Sequence, residues 1–337
     1  VRRVTIKDVA SHVGVSYQTV SRVINDRPDV APETRKRVLQ AIKELGYQPS
    51  AIARSLVSRR SHTLGLITAD FSDYFFTQVI AGAEIAARER GYFFILGSSE
   101  RKPEDEPVYV RLLTERQVEG ILFARPSTEK DTSHIRALLR QGVPLVTTVY
   151  YLEGEKLTVV DVDNVDGGQQ ATECLTKSGH RHIGLIKGPE GWKSVDDRTQ
   201  GYRLALDREG IDFREGLIEG GDWSEESGYK AMKRLLQKAP QITALFAQND
   251  RMAIGAMRAL REAGRRIPED VAVVGYDDIP VAAYCEPPLS TIRQPMREVG
   301  RVAVDLLLEA IENPQAEKRE VLLKTELIVR ESSGGRR

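Results

Sequence analysis

From Thr63 onward, short apolar runs alternate with amphipathic stretches of helical length, and no other feature limits the fold of this chain as strongly. Strand-like runs cover Leu64 to Thr68, Tyr92 to Leu96, Gly120 to Ala124 and Pro144 to Thr148, while the helical period covers Tyr74 to Arg90, Asp105 to Arg116 and Ser133 to Arg140. A helix separates each strand from the next, so the strands are expected to run parallel with helices on both faces of the sheet. The grammar then repeats: helix Ala171 to Ser178, strand His182 to Ile186, helices Val195 to Glu209 and Glu226 to Gln237, strand Ile242 to Phe246, helix Asp250 to Glu262, strand Val271 to Gly275. This predicts an α/β core of two doubly wound lobes, with the chain crossing between them near Val162 and Leu289. A helix over Val302 to Glu312 returns to the first lobe, and Leu322 to Val329 forms a terminal strand. The first lobe is read as about 61–161 and 290–320, the second as about 162–289 and 321–330, and 331–337 as a flexible tail.

The first 48 residues follow another grammar. Ile6, Val9, Ala10 and Val13 recur at helical spacing after Thr5, Asp8 can complete a capping box, and Gly14 breaks the helix. Ser16 can cap a second helix in which Val20, Val23 and Ile24 face inward while Tyr17, Gln18, Ser21 and Arg22 face out. Pro32 begins a third, with Val38, Ala41, Ile42 and Leu45 as its buried stripe and Gly46 as its stop. Three short helices on one small core describe a helix-turn-helix head, followed by a linker at 49–60. The outward face of the second helix can read a major groove: Gln pairs bidentately with adenine and Arg with guanine or phosphate, each discriminating by about 1–3 kcal/mol. A polar face is more often simply solvated. Charge favours DNA here, because residues 1–60 hold twelve Lys/Arg against five Asp/Glu in a chain with 49 of each. A cationic head displaces counterions from phosphates, and the anionic remainder is repelled.

Val4 to Asn25, Arg35 to Tyr47 and Pro49 to Leu56 resemble the head of the lactose-repressor (LacI/GalR) family of bacterial transcription factors, and the order of later motifs extends the resemblance over nearly the whole chain. The resemblance implies a two-lobed core like the periplasmic sugar-binding proteins, a homodimer, and a palindromic operator contacted by Thr5, Ser16, Tyr17, Gln18, Ser21, Arg22 and Asn25. It also implies that 49–60 is a hinge helix in which Leu56 wedges between central base pairs, with Ala53 and Arg54 beside it in the minor groove. Two turns of helix are too short to be stable alone, so this segment needs a partner to fold; the plainer reading is an exposed linker.

Ligands of open parallel sheets bind beyond the carboxyl ends of the strands. That rule nominates Phe71, Asp73, Tyr74 and Phe75 after the first strand, then Arg125 and Tyr150; from the second lobe it nominates Trp192, Arg198, Trp223, Asn249 and Asp277. Carboxylates accept from hydroxyls, Arg donates as a fork and aromatic rings pack on C–H faces, so this set suits a small polyol. The resemblance adds that Arg198 and Asn249 or Asp250 match effector-holding segments, that Asp277 supplies a carboxylate, and that Trp223 sits where an aromatic stacks. Each has a plainer alternative: a surface ion pair for Arg198, helix capping for Asn249 and Asp250, a structural acid for Asp277, packing for Trp192. Tyr150-Tyr151 stands close to where the lactose repressor has an acidic pocket residue, which disfavours a lactose-type galactoside.

Nothing prepares catalysis. Gly-x-Ser-x-Gly, Gly-x-x-x-x-Gly-Lys-Ser/Thr and His-Glu-x-x-His are all absent, His180-x-His182 lacks a third ligand, and Cys174 and Cys285 are read as buried free thiols. No apolar run suggests a membrane span or a secretory signal, so a cytoplasmic location is expected, and no cofactor. The expectation is a non-enzymatic transcriptional regulator, a repressor, that binds double-stranded operator DNA as a homodimer under control of a small effector, a sugar or sugar derivative. Two rivals stand beside it: the same fold tightened on DNA by a purine corepressor or phosphoprotein, and a sugar-binding or sugar-processing protein with an incidental basic head.

Overall fold

The computed structural model describes residues 4–48, 60–100, 102–124, 132–149, 152 and 154–334. The chain divides into two compact units, Val1–His62 and Thr63–Arg337.

In the head, α1 (Ile6–Val13), α2 (Tyr17–Ile24) and α3 (Pro32–Glu44) enclose Val9, Val20 and Val38, with Ala10, Val13, Val23 and Ala41 around them. The caps read from the sequence form. Thr5 Oγ1 accepts from the Asp8 N–H at 3.3 Å while Asp8 Oδ2 accepts from the Thr5 N–H at 2.8 Å, and Ser16 Oγ accepts from the Thr19 N–H at 3.1 Å. These contacts satisfy donors that a helix start leaves unpaired. Arg37 of α3 donates to the Val13 carbonyl at 2.6 Å and ties α3 to the end of α1.

The first lobe is built on β1 (Thr63–Thr68), β2 (Phe93–Ser98), β3 (Ile121–Ala124), β4 (Leu145–Thr148) and β5 (Thr158–Val162), joined by β11 (Glu320–Leu323). Its six strands are parallel in the order β11-β5-β4-β3-β1-β2. Helices α4 (Tyr74–Glu89) and α11 (Met296–Glu312) cover one face, and α5 (Glu106–Glu115) and α6 (Ser133–Arg140) the other. Strands buried on both sides read as continuous apolar runs, as in Leu64-Gly-Leu-Ile67. The second lobe has β6 (Ile183–Lys187), β7 (Ile218–Gly220), β8 (Ala244–Ala247) and β9 (Ala272–Val274), parallel in the order β7-β6-β8-β9. Helices α7 (Asn164–Lys177) and α8 (Lys193–Arg208) pack on one face, α9 (Glu225–Lys238) and α10 (Asp250–Glu262) on the other. Beyond β9, single bridges lead to β10 (Thr291–Arg293), which pairs antiparallel with β12 (Glu326–Ile328). The chain thus passes between lobes after β5, before α11 and between β11 and β12.

The structure departs from the sequence reading at five places, one of them helix α11, which starts at Met296, six residues before the expected Val302. β5, β7 and β10 are strands that the pattern did not predict. Helix α7 starts at Asn164, seven residues before the expected Ala171, because Asp163 caps it by accepting from the Asp166 N–H at 2.9 Å. The expected terminal strand over Leu322 to Val329 is two strands broken at Lys324 and Thr325, so residues 321–323 lie in the first-lobe sheet rather than the second. The expected flexible tail is ordered through Ser333: Ser332 Oγ donates to the Val273 carbonyl at 2.6 Å and accepts from the Ser290 N–H at 2.8 Å, closing the edge of β9.

Candidate functional site

On the head, Tyr17, 53% exposed, and Gln18 project from the first turn of α2. Arg22 is also exposed, its Nε 3.6 Å from Asp29 Oδ2. Other residues proposed to touch DNA are engaged locally. The hydroxyls of Thr5 and Ser16 cap helices, and Asn25 folds back to donate to the Ser21 carbonyl at 2.8 Å and to Ser21 Oγ at 3.3 Å. Ala53, Arg54 and Leu56 lie outside the described residues.

Between the lobes, the carboxyl ends of β1, β6 and β8 and the segments after β4, β5, β7, β9 and β10 face a cleft. Arg198 lies in it, 6% exposed, its Nε donating to Asn164 Oδ1 at 2.8 Å and its Nη1 to the Gln248 carbonyl at 2.5 Å. Of the two partners expected for a surface ion pair, Asp196 and Asp197, Asp197 is taken by Lys193, whose ammonium stands 2.5 Å from its Oδ2, and among the described residues Arg198 pairs with neither. Gly168 on α7 lets the backbones of α7 and α8 meet at this point: a Cβ there would lie 2.4 Å from the Arg198 carbonyl oxygen.

Trp223 stands at the cleft with φ +75°, and among the described residues its buried indole N–H has no hydrogen-bond partner. Its ring occupies the space left by Gly188, where a Cβ would sit 2.3 Å from ring carbons. Trp192 meets it edge-on at 5.2 Å between centroids. Asn249 caps α10 through Oδ1, which accepts from the Met252 N–H at 2.8 Å, and holds the Trp223 carbonyl through Nδ2 at 3.0 Å. Its amide is therefore committed to holding the wall of the cleft, so the capping alternative is realised. Asp250 is internal, accepting from Thr291 Oγ1 at 2.6 Å and from the Ile279 N–H at 2.9 Å; burial, reinforced by Asp277, pushes its carboxyl well up.

Asp277 Oδ1 accepts from Gln294 Nε2 at 2.6 Å, and Gln294 Oε1 is buried with no partner among the described residues. Burial raises the Asp277 carboxyl, Arg198 opposes the rise and Asp73 adds to it. Asp73 also caps α4, accepting from the Phe75 N–H at 2.9 Å, and Phe75 packs edge-on against Phe76 at 5.1 Å.

The cleft thus gathers seven of the nominated residues: Asp73, Phe75, Trp192, Arg198, Trp223, Asn249 and Asp277. Tyr74 faces instead a second cavity behind Asp277, and Phe71 is exposed and outside the lining. Arg125 and Tyr150 lie outside the described residues. Phe76, Val149, Asn164, Ser194 and Gln294 line the cleft without having been nominated. Asn164 and Gln294 follow β5 and β10, two of the strands the pattern missed, so the strand-end rule had no strand from which to reach them.

Residues 5–50 match the family described as bacterial regulatory proteins, lacI family, and residues 172–333 match the periplasmic binding protein-like domain. The HTH-type transcriptional regulator CelR of Thermobifida fusca is 41% identical over 338 residues, with 98% of each chain covered. The chain belongs to the LacI family. This LacI-family regulator is similar throughout to the lac repressor dimer bound to operator and the anti-inducer ONPF, with a TM-score of 0.88, 31% identity and coverage of 98% of this chain and 99% of that one. It is also similar to the CelR–cellobiose complex, with a TM-score of 0.75, 39% identity and coverage of 98% and 100%. It is a DNA-binding transcriptional regulator; its relatives are regulators, which sets aside the enzyme reading. Among the described residues no helix is long and apolar enough to cross a membrane.

Proposed function

We propose that this LacI-family regulator is a cytoplasmic repressor that binds a palindromic operator as a homodimer and is controlled by a sugar of disaccharide size held in the interlobe cleft. The observation that carries the sugar assignment is that the chain has only two tryptophans, Trp192 and Trp223, and both wall this cleft beside Arg198 and Asp277. An edge-on pair of indole rings with a guanidinium and carboxylates beside it suits the C–H faces and hydroxyls of a sugar. The complex of the similar CelR with cellobiose supports the same class.

Tyr17, Gln18 and Arg22 are the base-reading residues in this proposal, with Leu56 as the minor-groove wedge. The dimer is assigned to β2, an edge strand with Phe93 67% exposed and Ile95 and Leu96 open beside Ile85 of α4, and to Val281 and Tyr284 in the second lobe. An unpaired apolar edge of this kind is a liability unless a partner covers it. Two heads then read two half-sites. Effector changes operator affinity only through different affinities for the two lobe arrangements.

The test is binding of the whole protein to a palindrome selected from random duplexes, at fixed salt, with cellobiose, maltose, lactose, glucose, a sugar phosphate and hypoxanthine. Release by a disaccharide is expected. Tightening by the purine, or a specific palindrome indifferent to every compound, would overturn the assignment.

A further inference from the structure

Arg198 has a long side chain, and it keeps one orientation only where its donors are held. One of its acceptors, the Gln248 carbonyl, is backbone at the end of β8 and needs no further support. The other, Oδ1 of Asn164, belongs to a side chain that could turn.

Asn164 does not turn, because every polar atom of its amide is used. It is 2% exposed; Oδ1 receives Arg198 Nε at 2.8 Å and the Tyr276 hydroxyl at 3.3 Å, and Nδ2 donates to Asp161 Oδ1 at 3.3 Å and to the Val162 carbonyl at 3.1 Å. Reversing the amide would set an N–H against the Arg198 N–H and an oxygen against the Asp161 carboxyl. Asp161 is itself pinned by the Val162 N–H at 2.7 Å.

We propose that Asn164 is a positioning residue of the effector site: its carbonyl oxygen holds the Arg198 guanidinium in the cleft, and Asp161 locks the amide that presents that oxygen. Asn164 follows β5 at the first crossing between lobes, so Arg198 is aligned by the crossing segment as well as by its own helix. The inference rests on the assignment of the effector to the Arg198 cleft.

The experiment uses the full chain, with cellobiose as probe and tryptophan emission as signal. Asn164→Ala is expected to weaken cellobiose binding tenfold or more. Arg198→Lys weakens binding on its own, and adding Asn164→Ala to it is expected to cost less than a further threefold, because the group through which Asn164 acts has gone. A purely structural role would cost the same factor in both backgrounds, and that result, or unchanged binding in Asn164→Ala, would overturn the proposal. Asn164→Asp keeps an oxygen for Arg198 but sets its other oxygen against Asp161 Oδ1 and the Val162 carbonyl, so it is expected to weaken binding at least threefold; binding equal to wild type would overturn the lock assigned to Asp161. A crystal structure of unliganded Asn164→Ala decides independently of any ligand: the guanidinium is expected to leave the Tyr276 ring, and an unmoved guanidinium counts against the proposal. Failure of the wild-type chain to bind cellobiose would count against the sugar class alone, and the crystallographic result would then decide the role of Asn164.

Discussion

The Arg198 guanidinium carbon lies 3.7 Å from the centre of the Tyr276 ring, and the two side chains also share Oδ1 of Asn164 as acceptor. A cation over a buried aromatic face is stabilised by the ring quadrupole, most strongly where water is excluded. The pair joins α8 to the segment after β9 at the floor of the cleft. Among the described residues no carboxylate pairs directly with this buried arginine, so the ring and the Asn164 oxygen supply its place.

Arg198→Ala should abolish the response of operator binding to sugar. It would also take from the Gln248 carbonyl its Arg198 donor, at about 1–3 kcal/mol, while Asn164 Oδ1 keeps the Tyr276 hydroxyl. Operator titrations with and without cellobiose, and urea denaturation, measure the two effects. A response equal to wild type would place the effector elsewhere.

Gly188→Ala should displace Trp223, since the added Cβ would lie 2.3 Å from the indole ring. Sugar affinity is expected to fall tenfold or more, with a red shift of tryptophan emission as the ring is pushed toward solvent. An unchanged spectrum together with unchanged affinity would contradict the packing described.

Asp161→Asn should stabilise the protein at neutral pH. Burial pushes the Asp161 carboxyl from 3.8 up to about 6, so between those values the folded chain holds a proton that the unfolded chain has released. Wild-type stability therefore falls as pH rises through that window, and the loss is complete above it. The variant should exceed wild type by up to about 3 kcal/mol at pH 7.5, the difference closing toward pH 4. Denaturation curves across this range measure it, and a constant difference would refute the linkage.

Phe93→Lys combined with Leu96→Glu should disrupt the β2 edge contact and yield monomers in sedimentation. Losing the second head should weaken operator binding about 10²-fold or more, as expected when a bivalent contact becomes monovalent. Dimers of wild-type stability would remove β2 from the interface.

Ser16→Ala should destabilise the head by about 1 kcal/mol through loss of the cap on α2. Amide exchange at Thr19 in the full chain reports it directly, and unchanged protection would show that the cap carries no weight.

Signals that act over one or two turns of chain were legible. The capping box of Thr5 and Asp8, the Ser16 cap and Pro32 at the start of α3 are local hydrogen bonds and dihedral preferences, and they placed three helices within a residue or two. The continuous apolar runs of β1, β3, β6 and β8 marked doubly buried strands, and the ends of β1, β6 and β8 located the Asp73, Arg198 and Asn249 side of the cleft. Periodicity could not show that Asn249 spends its amide on Met252 and Trp223, nor that Tyr74 turns behind Asp277.

The head, its charge, the alternation of strands and helices, and the strand ends that line the cleft follow from local sequence, because each depends on neighbours a few residues away. That Leu322 joins β5 while Leu327 joins β10, that Ser332 seals β9, and that Asn164, Arg198 and Tyr276 meet comes from contacts distant in the chain. A strand of three or four residues carries too little pattern to choose its sheet. Its place is set by hydrogen-bond partners far away in the chain, and the polar atoms lining the cleft are oriented by those same distant contacts.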